Sequence, residues 1–197
     1  MLEVMLIRPG STTFDGEGRI KGSLDIPLSM LGIAQAEVLA KNLAEVKLDC
    51  IYVSPSESAQ QSAKHIAEYN FCRQKTLDCL RNLNHGLWQG KLVSEVKRLQ
   101  PKVYRQFQEN PGEVCPPGGE TAQEAIARLQ GPVAKLRKRH QDGRIGLVVP
   151  QPLASIVRFV LVGGSMGDLW KSELDFGTFE ILKISSTQDS VAPMATV

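Results

Sequence analysis

Short apolar runs alternate along the chain with longer stretches in which apolar residues recur every three or four positions. The apolar runs predict buried strands at residues 2–8, 49–53 and 145–149, with a weaker strand around residues 75–79 and a final strand of period-two pattern at residues 178–185. The periodic stretches predict amphipathic helices at residues 29–46, 56–69, 92–109, 121–140 and 153–162. This alternation predicts an α/β fold, a three-layer sandwich in which helices cover both faces of a mainly parallel central sheet.

Local signals refine the helices and the segments between them. Thr121 and Glu124 form a T-x-x-E capping box at the start of one predicted helix. Pro101 predicts a bend in the helix at 92–109. Residues 11–25 are polar and rich in glycine, which indicates a loop long enough to be functional.

The length of 197 residues fits one domain with a sizeable core. We expect that domain at residues 1–185, because no repeat or linker interrupts it, and a flexible C-terminal tail at residues 186–197. Lys and Arg number 23 and Asp and Glu 21, which leaves a net charge of +2. This balance excludes a strongly basic nucleic-acid binder by bulk charge, and it excludes an acidic disordered chain.

A local basic run leaves one charged feature to explain. It consists of Lys135, Arg137, Lys138, Arg139, His140 and Arg144. These residues could meet nucleic acid or an acidic partner, or they could simply place cations at the C-terminus of a helix, where the helix dipole favours them. We favour the second interpretation and do not expect nucleic acid to be a partner.

The cysteines and the apolar stretches predict a cytoplasmic protein with no membrane contact. No C-x-x-C pair occurs among the four cysteines, which are Cys50, Cys72, Cys79 and Cys115, so we expect reduced thiols. The N-terminus lacks the features of a signal peptide. The most apolar stretch, residues 145–164, contains two prolines and Arg158, which is wrong for a membrane span. Asp15 and Glu17 supply too few carboxylates for a metal cage, and we expect neither metal nor cofactor.

Two predicted strand ends carry candidate chemistry. Residues 8–10 read Arg-Pro-Gly after the first strand, and residues 150–152 read Pro-Gln-Pro after the strand at 145–149. Ligands of parallel sheets bind at the carboxyl ends of strands. These two segments are therefore the first candidates for a site.

Five ordered blocks of sequence resemble a known family. They read LIRPGST at 6–12 with GRIKG and DIPLS within 18–29, VSPSESAQQSA at 53–63, LRNLNHGLWQG at 80–90, PGGET at 117–121 and VVPQPL at 148–153. Their order and spacing resemble the phosphoglycerate mutase-like histidine phosphatase superfamily. The last block matches by its register after a buried strand rather than by identity. The resemblance implies that family's α/β fold and its phosphomonoesterase or phosphomutase chemistry through a phosphohistidine.

The resemblance also implies where the reactive groups would stand. In that family one His attacks phosphorus, two Arg and a second His hold the phosphoryl oxygens, and an acid protonates the leaving oxygen. Here the nucleophile position is Pro9, the second Arg position is Ser58, the acid position is Asn82 and the second His position is Gln151. Arg8 alone keeps the family residue. Because proline has no lone pair with which to attack, the covalent route is closed.

We therefore expect a pseudoenzyme with a non-catalytic binding or regulatory role. The alternative is a weak or altered phosphatase or phosphomutase acting on a phosphorylated small molecule, with a substitute nucleophile such as His65 or His85. A structural role for both histidines is the simpler interpretation. A nucleic-acid-associated protein is a third reading, which rests on the basic run alone.

The remaining pocket could hold a small anion or a polar metabolite, and no protein partner can be named. Its expected lining is Gly10, Ser54, Ser58, Asn82 and Gln151. The four polar side chains among these either face a ligand or satisfy one another. Arg8 either holds the anion or pairs with an acidic neighbour such as Glu120.

Overall fold

A mostly parallel sheet forms the centre of the computed structural model, which describes residues 1–109, 115–166, 169 and 176–184. Within those residues the strands are β1 Leu2–Ile7, β2 Cys50–Val53, β3 Arg73–Thr76, β4 Gly143–Val148 and β5 Phe179–Ile184. Their order across the sheet is β3-β2-β4-β1-β5. The first four strands are parallel to one another, and β5 runs antiparallel to β1. The predicted α/β architecture is confirmed.

Helices lie on both faces of this sheet. They are α1 Thr13–Glu17, α2 Met30–Leu43, α3 Glu57–Asn70, α4 Val93–Leu99, α5 Pro101–Glu109, α6 Ala122–Arg139 and α7 Leu153–Val162, with short 3-10 turns at Asp78–Leu80 and Gly86–Trp88. The apolar side chains of α2 and α3 pack on one face, and those of α4 to α7 pack on the other. The three layers are therefore helix, sheet and helix.

The two hydrophobic cores, one on each face of the sheet, explain why the central strand β1 is almost entirely apolar. Successive residues of β1 point to opposite faces, so Met5 and Ile7 join the core with α2 and α3. Val4 and Leu6 join the core on the side of α6 and α7. Because β1 is covered on both faces, five of its six residues are apolar, and Glu3 is the exception.

The structure corrects several predicted boundaries. The segment at 11–25 is not entirely loop, because Asp15 accepts hydrogen bonds from the backbone and side chain of Thr12 and so caps the short helix α1. The helix predicted at 92–109 with a bend at Pro101 is instead two helices, separated at Gln100. The weaker strand begins and ends earlier than predicted, and all four β3 residues are exposed at the sheet edge. The predicted tail at 186–197 lies outside the described residues.

Other sequence signals match the structure directly. Thr121 and Glu124 form the predicted capping box at the start of α6. Pro132 lies inside α6 without ending it. Among the helices of the described residues, none has both the length and the apolar character needed to cross a bilayer.

Candidate functional site

The two candidate segments lie side by side at the carboxyl edge of the sheet. Ile7 ends β1 opposite Val148 of β4, and the N–H of Val149 donates to the carbonyl of Ile7 at 2.9 Å. Pro9 follows β1 and is buried, with its carbonyl accepting from the N–H of Gly177 at 3.0 Å. Gln151 follows β4 and is 5% exposed. The parallel pairing of β1 and β4 thus brings together residues that are more than a hundred positions apart.

Asn82 ties a third segment to this edge. Its side-chain N–H₂ donates to the carbonyls of Gly22 and Gln151, both at 2.9 Å. Its side-chain oxygen accepts from the N–H of Leu153 at 3.3 Å. A carboxylate in this orientation could not donate to the two carbonyls, so these contacts suit an amide and oppose an ionised acid.

The other polar positions at the edge also make contacts within the protein. The side-chain oxygen of Gln151 accepts from the backbone N–H and the hydroxyl of Ser155, at 3.3 and 3.1 Å. The Ser54 hydroxyl lies 3.3 Å from that of Ser56. Ser58 is buried on α3, one turn before Ser62, whose hydroxyl accepts from the N–H of Gly10 at 3.1 Å. These positions form a neutral polar surface rather than a charged one.

Arg8 supplies positive charge to the edge, and its ionic partner differs from the one suggested by the sequence. Its guanidinium donates to Glu180 Oε1 at 2.6 Å, and the Nε of Arg158 donates to Glu180 Oε2 at 3.2 Å. The suggested partner, Glu120, instead pairs with Arg128 at 2.5 Å. The expectation that Arg8 pairs with an acidic neighbour is met by Glu180 rather than by Glu120, because the antiparallel strand β5 delivers Glu180 to the site.

Sequence reasoning missed Glu180 and Arg158. A signal for Glu180 was present, since alternation in β5 puts it on the same face as the buried Leu182 and Ile184. A carboxylate on the inward face of a strand requires a charged partner. Arg158 belongs to the helix α7. It lies in the apolar stretch at residues 145–164, where its charge was used only as an argument against a membrane span.

The histidines proposed as substitute nucleophiles occupy different surroundings. His85 is 1% exposed, and its ring meets the Phe107 ring edge-on at a centroid distance of 5.8 Å. His65 is half-buried in the middle of α3. Cys79, another potential nucleophile near Asn82, is disfavoured because burial raises the pKa of its thiol.

The acidic residues of α1 have partners within the protein. Asp15 pairs with the ammonium of Lys21 at 2.7 Å, and Glu17 pairs with Arg19 at 2.6 Å. The Lys21 ammonium also lies 5.1 Å from the centroid of the Phe176 ring. No group of three potential metal ligands occurs in the part of the chain that the structure describes.

The basic run lies largely at the C-terminus of α6. Arg137, Lys138 and Arg139 occupy the last turn, where the helix dipole favours cations. Arg144 pairs with Glu3 at 2.6 Å, and His140 Nε2 lies 2.8 Å from the Tyr52 hydroxyl. These contacts fit the structural interpretation of the run.

Comparisons with a family model, with related sequences and with solved structures all point to the same protein family. The sequence model of the family described as "Histidine phosphatase superfamily (branch 1)" matches residues 4–195. Phosphoserine phosphatase 1 of Hydrogenobacter thermophilus is 28% identical over 191 residues, which are 97% of this chain and 90% of that protein. Phosphoglycerate mutase-like protein 4 of Arabidopsis thaliana is 30% identical over 74% of this chain and 65% of its own length. The α-ribazole phosphatase of Shigella flexneri superposes with a TM-score of 0.80 at 23% identity, covering 93% of this chain and 91% of that one.

Proposed function

We propose that this chain, which belongs to the histidine phosphatase superfamily, is a non-catalytic member that binds a small anionic or polar molecule at the carboxyl edge of its sheet. One observation carries the proposal: Pro9 directly follows Arg8 at the end of β1, where the family's nucleophilic histidine would stand. A proline ring nitrogen within a peptide bond has no lone pair to form a phosphoenzyme.

The other substituted positions support the same conclusion. Loss of a general acid costs about 10²–10⁴ in rate, and loss of an oxyanion donor costs roughly 10²–10³. These costs do not simply multiply. Asn82 nevertheless donates to two backbone carbonyls, a task that an ionised acid could not perform. The acid position has thus acquired a structural role that competes with the catalytic one.

A second candidate function is phosphatase or phosphomutase activity with substitute residues. The relatives favour it over the first candidate, since a protein named phosphoserine phosphatase matches nearly the whole chain. Under this hypothesis the substrate would be a phosphorylated small molecule, and His85 would be the nearest substitute nucleophile. Its burial against Phe107 opposes that role, because an attacking nitrogen must reach the substrate in line.

The remaining features of the proposal are predictions from the sequence. A cytoplasmic location follows from the expectation of reduced thiols, and no protein partner is named. Residues 1–185 would form the binding domain. With Arg8 as its principal cation, the pocket would hold inorganic phosphate with about millimolar, salt-sensitive affinity.

A hydrolysis assay on the purified full chain tests this function. The substrates are p-nitrophenyl phosphate, phosphoserine and a panel of phosphorylated metabolites, and the expected result is no turnover above background. The control is Arg8→Ala prepared in parallel, because a contaminating phosphatase would be unaffected by that change.

Turnover by the unaltered chain that disappears in Arg8→Ala would overturn the non-catalytic proposal and establish the second candidate. His85→Ala and His65→Ala would then identify the substitute nucleophile. An acid-labile phosphoenzyme that is absent from one of these variants would assign it.

A further inference from the structure

One carboxylate holds two guanidinium groups at the carboxyl edge. Glu180 accepts from Arg8 on one oxygen at 2.6 Å and from Arg158 on the other at 3.2 Å. The two arginines come from different elements, β1 with its following loop and the helix α7, and Glu180 comes from β5. The two guanidinium groups are therefore only a carboxylate's width apart, although three separate segments supply the residues.

This trio is open to solvent to different degrees. The side chain of Arg8 is 12% exposed, that of Glu180 is 28% exposed and that of Arg158 is 42% exposed. A solute can therefore reach the carboxylate and the outer guanidinium without unfolding the protein. A fully buried ion pair would offer no such approach.

The trio lies one helical turn from part of the neutral polar set of the site. The Ser155 hydroxyl donates to the side chain of Gln151, and Arg158 lies three residues after Ser155 on α7. Residues three apart are neighbours on a helix surface. Arg158 therefore lies beside the end of the polar set that Gln151 and Ser155 form.

We propose that Arg8 and Arg158 form a two-arginine oxyanion site, and that Glu180 occupies it as a built-in competitor. The carboxylate of Glu180 stands where the oxygens of a phosphate group would bind. A phosphate dianion suits the arginine pair because guanidinium groups bind its oxygens through paired N–H donors. Arg158 thereby supplies a second cation to a site in which the family's second Arg position is Ser58.

Glu180 weakens phosphate binding because its carboxylate, which is part of the same molecule, competes with phosphate for the two guanidinium groups. Two guanidiniums and one carboxylate leave a single positive charge in the trio. A ligand must displace Glu180, so its apparent affinity falls by the fraction of molecules in which the site is vacant. If Glu180 occupies the site in nine molecules out of ten, removing its charge tightens binding by about tenfold.

This inference deepens the proposed binding function and rests on it for the location of the ligand. Calorimetry with inorganic phosphate on the full chain tests it. Glu180→Gln keeps the shape of the side chain but removes its charge, and it is expected to tighten phosphate binding about tenfold or more. Adding Arg158→Met to that variant is expected to reverse most of the gain.

The matched control is Glu3→Gln. Glu3 belongs to a similar Arg–Glu pair, with Arg144. Glu3→Gln changes the net charge of the protein by the same amount as Glu180→Gln. It is expected to leave phosphate affinity within about twofold of that of the unaltered chain. A change of that size is what a general effect of surface charge would produce. A gain in Glu3→Gln equal to that in Glu180→Gln would overturn the proposal.

Other outcomes are equally decisive. Unchanged phosphate affinity in a folded Glu180→Gln overturns the role of Glu180. If Glu180→Gln does not fold, Arg158→Met in the unaltered background takes its place. That variant is expected to weaken phosphate binding, and unchanged affinity overturns the role of Arg158. The hydrolysis assay is independent of these titrations, so failure of the non-catalytic proposal and failure of the competitor proposal are distinguishable.

Discussion

The close contact between residues 10–11 and the first turn of α2 differs from the polar positions at the carboxyl edge in how far packing dictates the residue type. A Cβ on Gly10 would lie 2.1 Å from the Gly32 carbonyl oxygen, and one on Gly32, in the first turn of α2, would lie 1.9 Å from the Ser11 carbonyl oxygen. No side chain fits at either position. The proposed reactive positions, by contrast, hold Pro9 and Asn82, where the sequence resemblance implies a nucleophile and an acid.

The difference teaches that close packing and reactivity place separate demands on the same segments. A Cβ about 2 Å from a backbone atom would force the two segments apart, so their close approach requires glycine whatever the chemistry. A reactive side chain can be replaced without that penalty if the new residue satisfies its neighbours. Asn82 does so with three hydrogen bonds.

The largest expected effect comes from breaking this close backbone contact. Gly32→Ala places a methyl group against the Ser11 carbonyl and is expected to lower the free energy of unfolding by about 3 kcal/mol or more. Chemical denaturation measures the change. The control is Gly16→Ala in α1, an exposed helical position where a Cβ would meet no atom within 4 Å beyond its chain neighbours, and this substitution is expected to raise stability by about 0.5–1 kcal/mol. Equal effects of the two substitutions would refute the packing argument.

A smaller loss is expected from Asn82, a proposed reactive position whose side chain bonds to the scaffold. Asn82→Leu keeps a side chain branched at Cγ but leaves buried carbonyls and an N–H without partners, so we expect a loss of about 2–3 kcal/mol. Asn82→Asp restores an acid, yet its carboxylate would face the carbonyls of Gly22 and Gln151. We expect Asn82→Asp to be destabilised at neutral pH as well. An Asp variant as stable as the unaltered chain would show that the acid position remains open to catalysis.

The smallest expected effect concerns pH and a residue outside both regions. His140 follows α6 and contacts Tyr52, and burial, aided by Arg139, lowers its pKa below the usual 6.5. Its folded state therefore binds a proton less readily than the unfolded chain. The corresponding stability is present above pH 6.5 and is lost as the pH falls below it.

Denaturation at pH 7.5 and pH 5.5 measures that contribution. The decrease in stability on acidification is expected to be smaller in His140→Gln than in the unaltered chain, and it is expected to persist in Asn82→Leu. An unchanged decrease in His140→Gln would assign the pH dependence to other groups.

Features coded by neighbouring residues could be predicted from the sequence. The apolar runs, the helical periodicity and the T-x-x-E box at Thr121 depend on positions a few residues apart, and the structure confirms the α/β sandwich that they imply. The proposal that Pro9 replaces a nucleophile likewise rests on the residue type and the sequence resemblance, without coordinates. The short helix α1 was missed because its cap, Asp15, acts within a segment dominated by glycine and polar residues.

The pairing of charges depended on the tertiary structure alone. Arg8 and Glu180 are 172 positions apart, and Glu180 reaches Arg8 only because β5 adds antiparallel to β1 and sets Glu180 opposite Leu6. Alternation in β5 places Glu180 on an inward face, but nothing in the local sequence identifies Arg8 as its partner. Backbone periodicity is set by adjacent residues, whereas the partner of a charge is set by which strands become neighbours, and that order exists only in the folded sheet.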